Sequence, residues 1–395
     1  MALVTLKSGR EKSLLRRHPW VFSGAIKKVE GDPGPGETID VLSNKGEFLC
    51  RAAFSPYSQI SLRVWTFDPH EEVGTAFFHS RLKRAFDFRM PLLSRESEGA
   101  CRLVNGESDG LPGLIVDKYA GFLVCQFLSA GAELWREEIV SQLRQTVVPL
   151  GIYERSDAEV RLKEGLEPRA GLLWGEPPPP LLVIQEKPCR FFVDIEHGQK
   201  TGFYLDQREN RTLISEYAEG GEVLNGFSYT GGFGIHALKA GARRVLNVDS
   251  SHAALDLAAR NRELNQIGED RAEALEGDVF QVLREFRDRR RNFDLIILDP
   301  PKFVDSWRQM ERGSRGYKDI NLLAFKLIRP GGILVTFSCS GLVSRDLFQM
   351  IVAGAALDAG REVQIVRALT QGPDHPTSLY FPEGTYLKGL VCRVY

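Results

Sequence analysis

From residue 222 to the end of the chain, short apolar runs alternate with stretches whose apolar residues recur at helical spacing. That rhythm predicts a doubly wound sheet with strands over 222–227, 244–249, 272–277, 293–298, 332–338, 362–369 and 386–394 and helices between them. Runs such as Leu295-Ile296-Ile297-Leu298 and Ile333-Leu334-Val335 are apolar without interruption, as parallel strands covered on both faces require. Nearer the N-terminus the period is shorter. Residues 37–42, 48–54 and 60–67 are β-rich and separated by turn residues such as Ser43-Asn44-Lys45-Gly46, which predicts a small barrel fronted by the loop Asp32-Pro33-Gly34-Pro35-Gly36.

The pattern changes at Asp68-Pro69, beyond which Val73, Phe77, Phe78, Leu82 and Phe86 fall at helical intervals. A turn-rich loop over 106–113, strands over 114–117 and 122–127 and a helix near 132–147 complete a central α/β segment. Pro177 to Pro180 can form only a stiff extended connector. Runs over 181–186 and 189–195 then flank Lys187-Pro188 as a hairpin. The expected division is therefore a barrel over 1–70, an α/β domain over 71–180 and the doubly wound domain over 181–395.

A length of 395 residues agrees with two or three domains, and 43% hydrophobic with 26% charged residues describes a soluble globular chain. Residues 1–12 lack an apolar leader core, and no run approaches the ~18 apolar residues of a membrane span. A cytoplasmic location and no membrane partner are expected. Six cysteines lie scattered, with no C-x-x-C pair, so neither a disulfide framework nor a metal site is indicated. The net charge of −1 hides an asymmetry: Lys7, Arg10, Lys12, Arg16, Arg17, Lys27 and Lys28 face one acid, Glu11, within residues 1–28. Such a patch is either a face for nucleic-acid phosphates or a solvated surface.

Three strand ends carry candidate chemistry, where open α/β sheets place their sites. The first runs through Phe227, Tyr229, Thr230, Gly231 and Gly232 into a helix start, where glycines let the backbone approach a ligand at the positive helix end. Asp249, ending the next strand, can accept both hydroxyls of a ribose, and Asp278 can meet an adenine amino group. A lone glycine turn also fits a dinucleotide fold. The absence of a second nicotinamide-binding half and the Asp299-Pro300-Pro301 strand end favour S-adenosylmethionine. The third end is Phe337-Ser338-Cys339-Ser340-Gly341, which places a thiol at the mouth of the sheet beside Asp299. A thiolate adding to carbon 6 of cytosine, with an acid at ring nitrogen 3, makes carbon 5 nucleophilic toward a methyl sulfonium. Lys302 either steers phosphate or is simply solvated. Arg308, Arg312, Arg315 and Lys318, interleaved with Trp307 and Tyr317, suit a clamp on single-stranded RNA. The other five cysteines read as structural.

On residues 9–24, 106–113, 200–208, 227–233, 299–303, 315–320 and 337–341 the chain resembles the bacterial ribosomal RNA large subunit methyltransferase I family over nearly its whole length. The resemblance implies a PUA-like RNA-binding barrel, a linking α/β domain and a Rossmann-like class I methyltransferase domain. It implies methylation of carbon 5 of a cytosine in 23S ribosomal RNA, S-adenosylmethionine as cofactor, and Tyr204 and Arg208 over that cofactor. It also implies Cys339 as nucleophile, Asp299 as its partner, and contact of Arg10, Lys12, Arg16, Arg17, Lys302, Arg315 and Lys318 with RNA. A homodimer is compatible with this reading. Many RNA cytosine-5 methyltransferases carry a second cysteine after the proline of an Asp-x-Pro-Cys motif; here Pro301-Lys302 stands there, so the group removing the carbon 5 proton is unassigned. The rivals are methylation of an exocyclic base amine and a non-catalytic RNA-binding assembly factor.

Overall fold

The computed structural model describes residues 2–93 and 98–395. Its contacts divide the chain into two units, the first formed by Met1–Ile184, Val193–Leu205 and Pro373–Gly384, the second by Gln185–Phe192, Asp206–Gly372 and Thr385–Tyr395. The first unit opens with β1 (Leu3–Leu6), the single turn α1 (Lys12–Leu15), β2 (Trp20–Phe22), β3 (Ile26–Glu30), β4 (Thr38–Leu42), β5 (Phe48–Phe54) and β6 (Ile60–Thr66). They form one sheet in the order β2-β6-β5-β4-β1-β3. Alternation decides which face is covered: Val4, Leu6, Ile39, Val41, Leu62 and Val64 are buried, while the residues between them along β1 and β4 are partly exposed.

The helix α2 (Thr75–Leu93) packs with α3 (Ala130–Leu134) and α4 (Arg136–Val147) in the second part of this unit. Its sheet has the order β11-β10-β9-β8-β7, built from β7 (Ala100–Asn105), β8 (Leu114–Tyr119), β9 (Phe122–Phe127), β10 (Gly151–Ser156) and β11 (Arg169–Gly175). The turn-rich loop over 106–113 is a junction. Glu107 accepts from Trp20 Nε1 at 2.7 Å and Arg63 Nη1 at 2.9 Å, while Asp109 takes two bonds from the buried Arg89 at 3.0 and 2.8 Å. Arg89 also donates to the Asp374 carbonyl at 3.1 Å, fastening residues 373–384 to this unit.

A hairpin of β12 (Leu182–Glu186) and β13 (Cys189–Val193) precedes the second unit's main body. There α5 (Arg208–Ile214) leads into β14 (Glu222–Gly226), α6 (Gly232–Lys239), β15 (Arg244–Asp249), α7 (His252–Leu264), β16 (Ala272–Glu276), α8 (Val279–Asp288) and β17 (Phe293–Leu298). Then follow α9 (Met310–Leu327), β18 (Ile328–Ser338), α10 (Arg345–Ala359), β19 (Val363–Thr370) and β20 (Lys388–Val394). The sheet order is β16-β15-β14-β17-β18-β20-β19, with β20 antiparallel to both of its neighbours. The predicted strands match these bounds closely, apart from β18, which begins at Ile328. Its first residues read as a turn, Arg329-Pro330-Gly331-Gly332, and the structure carries them as an irregularity in the ladder opposite Phe293 to Leu295.

Candidate active site

The carboxyl ends of β14, β15, β17 and β18 come together because these strands are neighbours running in one direction. Between β14 and α6 the backbone turns sharply. Phe227 (φ 60°) and Tyr229 (φ 47°) hold left-handed conformations that cost side-chain-bearing residues of order 1 kcal/mol or more each, strain typical of ligand sites. Gly231 has φ 79°, and a Cβ on Gly234 would lie 2.6 Å from Asn247 Oδ1, so both glycines are required by geometry. The Asp249 carboxylate is fixed by the backbone N–H groups of Tyr229 (2.8 Å) and Ser251 (3.0 Å). Asp278 is exposed and caps α8, accepting from the Gln281 N–H at 3.1 Å.

At the end of β17, Asp299 is partly buried. Burial first, and then the neighbouring Asp206 carboxylate, push its carboxyl up to about 7, against the opposing pull of the Gln207 amide and the Arg211 guanidinium. Asp206 is itself held by Tyr386 Oη at 2.6 Å. The register pairs Leu298 with Thr336, so Asp299 stands level with Phe337 on the adjacent strand and Cys339 lies two residues beyond. Cys339 is partly exposed, whereas Cys50, Cys101, Cys125, Cys189 and Cys392 are buried. A polar net joins the two strand ends: Tyr317 Oη and Ser340 Oγ are 2.9 Å apart, and Ser340 Oγ accepts from the Val304 N–H at 3.2 Å.

Arg208 is buried at the start of α5 beside Glu209, at 3.6 Å. Tyr204 falls within the first unit, where its hydroxyl donates to Gln199 Oε1 at 2.5 Å. Also in that unit, Arg10, Lys12, Arg16 and Arg17 are all exposed and none has a carboxylate partner among the described residues. Arg10 borders a cavity of about 370 Å³ lined also by His18, Trp20, Phe22 and Glu383. Lys302, Arg315 and Lys318 are instead engaged with Asp305 (2.8 Å), Glu311 (2.5 Å) and Asp358 (2.7 Å). One reading needs correction. Tyr317 is fully buried and bonded to Ser340, so it offers no face for a nucleotide base; Trp307, 74% exposed, does.

Two residues of this centre were given no part in the chemistry from the sequence. Asp206 gave no signal beyond its neighbours. Lys388 gave one: a lysine within the apolar run 387–392, which the structure buries with its ammonium bonded to the Ser340 and Val343 carbonyls at 2.6 and 2.7 Å.

Residues 4–67 match the family of PUA-like domains, and residues 158–381 match that of S-adenosylmethionine-dependent methyltransferases. The chain is 55% identical over 390 residues to the ribosomal RNA large subunit methyltransferase I of Aeromonas salmonicida, covering 99% of this chain and 98% of that one. It is 52% identical over 391 residues to the enzyme of the same name from Escherichia coli O1:K1, covering 99% of each. Among solved structures, a SAM-dependent methyltransferase from Streptococcus mutans superposes with a TM-score of 0.86 at 22% identity, covering 100% of both chains. SMU.776, a methyltransferase complexed with SAH, superposes with 0.87 at 22% identity and the same coverage. At that identity the likeness speaks for the fold.

The β14–α6 turn fits S-adenosylmethionine on its own chemistry. Ser228 Oγ and Thr230 Oγ1 are buried with no hydrogen-bond partner among the described residues. Orphaned polar atoms grouped near a strained glycine turn are groups that a polar ligand satisfies. Asp249, anchored through one lone pair on each oxygen, retains the others for ribose hydroxyls.

Proposed function

Because the chain belongs to the S-adenosylmethionine-dependent methyltransferases, and among them to the ribosomal RNA large subunit methyltransferase I family, we propose that it methylates carbon 5 of a cytosine in 23S ribosomal RNA through a covalent adduct of Cys339. The observation that supports this most is the pairing of a partly exposed thiol with a carboxyl whose proton affinity is raised to about 7, on the ends of adjacent strands. Methylation of an exocyclic amine has no use for that thiol.

In this reading Asp249 holds the ribose of the cofactor, Asp278 the adenine, and residues Phe227, Tyr229, Thr230, Gly231 and Gly232 the remainder, with Tyr204 and Arg208 over it. Bound S-adenosylmethionine supplies an electrophilic methyl group. The Cys339 thiolate adds to carbon 6, and the displaced electron pair runs through the ring to nitrogen 3, which takes the Asp299 proton. Carbon 5 is then enamine-like and takes the methyl group. Loss of the carbon 5 proton restores the ring double bond and expels the thiolate, and nitrogen 3 returns its proton to Asp299. Residues 1–70 contact RNA through Arg10, Lys12, Arg16 and Arg17, residues 71–180 connect, and residues 181–395 transfer the methyl group. Lys302, Arg315 and Lys318 exchange their surface carboxylates for phosphates, at little cost because exposed ion pairs contribute ~0–1 kcal/mol.

RNA carrying 5-fluorocytosine has fluorine where the carbon 5 proton must leave, so elimination is blocked and the adduct should be trapped. A covalent complex is expected with the natural protein and none with Cys339→Ala, which should also lose methylation. A Cys339→Ala protein that methylates normally would end the nucleophile reading and point to an exocyclic amine. The absence of bisulfite-resistant cytosine in treated 23S RNA would end the carbon 5 assignment.

A further inference from the structure

Lys388 stands directly opposite Ser338 in the antiparallel β18–β20 ladder and is 5% exposed. Its ammonium is held by two carbonyls, Ser340 at 2.6 Å and Val343 at 2.7 Å, which lie on either side of the turn that follows Cys339. Among the described residues no carboxylate pairs with it. A buried cation without a counter-ion is costly, and side chains chosen only to close a turn have no need of one. The carbonyl it holds at Ser340 directly follows Cys339, and the residue opposite it, Ser338, directly precedes that cysteine, so the ammonium sits against the segment that carries the thiol.

We infer that Lys388 is a positioning residue for Cys339: its buried ammonium fixes the 340–343 turn and supplies the positive charge against which the thiolate forms. The inference rests on the reading of Cys339 as nucleophile. Three groups bear on the thiol or on the lysine from the surrounding elements, namely Tyr317 on α9, Arg345 on α10 and Lys388 on β20. Burial, with Arg345 adding to it, lowers the lysine to about 8, and a negative Cys339 works in the opposite direction. Linkage makes that coupling reciprocal: what the thiolate does to the ammonium, the ammonium does to the thiolate. A charged lysine therefore supports the thiolate, and that support is lost as pH rises through about 8.

Alkylation reads the thiolate without RNA or cofactor. Iodoacetamide forms a carbon–sulfur bond as iodide leaves, and the five buried cysteines are poor competitors, so mass spectrometry can follow residue 339 alone. In the full-length protein, Lys388→Met should move the midpoint of the alkylation–pH curve up by about one unit, a roughly tenfold smaller thiolate fraction below it. Lys388→Arg should restore most of the shift. An unmoved midpoint in folded Lys388→Met overturns the proposal, because a purely structural lysine would alter melting temperature and leave the curve in place. If Lys388→Met does not fold, the reciprocal measurement decides: Cys339→Ala should lower the Lys388 titration seen by carbon-13 lysine NMR, and an unchanged titration overturns it. Failure of the nucleophile reading shows separately, as methylation by Cys339→Ala.

Discussion

Asp299 illustrates how one carboxyl is prepared at the residue scale. Its folded value near 7 lies above the ordinary aspartate range, so it is protonated in acid, only partly protonated at neutrality, and loses its proton as pH rises through about 7. Single-turnover methylation should therefore fall on the alkaline side of that value. Asp299→Asn can donate a hydrogen bond but not a proton; it should lower the rate by ~10²–10⁴ and remove this alkaline limb. A profile for Asp299→Asn that keeps the limb would assign it to another group. The same scale shows where a sequence misleads. Tyr317 sits between Gly316 and Lys318 in a charged stretch and reads as exposed, yet Gly313, Tyr317, Ile320, Asn321 and Ala324 are all buried on α9. Their spacing of three and four was the better guide, because helical period fixes the covered face while local charge does not.

Among elements, the joint between hairpin, α5 and α6 is held by one carboxylate. Glu186 on β12 takes two bonds from Arg211 on α5, at 2.7 and 2.6 Å, and lies 2.9 Å from His236 Nε2 on α6. Burial alone would raise this carboxyl; Arg211 first and His236 next outweigh it and hold it at about 2. A depressed value means that the stabilisation is complete above the ordinary glutamate range and disappears as pH falls toward about 2. Glu186→Gln strands a buried guanidinium and should cost ~3–5 kcal/mol in urea unfolding at pH 7. The difference from the natural protein should narrow as pH is lowered below ~4.5; a constant difference would mean that packing, not charge, makes the joint. The strands of the second unit were legible because parallel strands covered on both faces give unbroken apolar runs. β3 was not, since its central residues Lys27, Lys28 and Val29 are exposed and leave no alternation to read. Neither Glu186 nor Asp206 could be placed, because their partners lie 25 and 180 residues away in sequence.

At the scale of the whole molecule the charge is nearly balanced, and its distribution matters more than its sum. Among the described residues Arg10, Lys12, Arg16 and Arg17 lack carboxylate partners, whereas Lys302, Arg315 and Lys318 each have one. The first group should therefore dominate the salt dependence of RNA binding. Reversing Arg10 and Arg16 to Glu should weaken RNA affinity at least tenfold at low salt and flatten the plot of log K against log salt concentration by about two. Arg315→Ala should change it by less than one. Equal effects would place the phosphate contacts at α9 instead.

The first unit takes in residues 373–384, with Asp374 fastened to Arg89 and the Phe381 ring 4.7 Å from that of Trp20. A growing polypeptide cannot finish that unit until residue 384 has left the translating ribosome. The N-terminal body is thus denied the usual head start in vectorial folding. Prematurely ended chains would lack the Glu383 wall of the Arg10 cavity, so incomplete products would not form the finished surface.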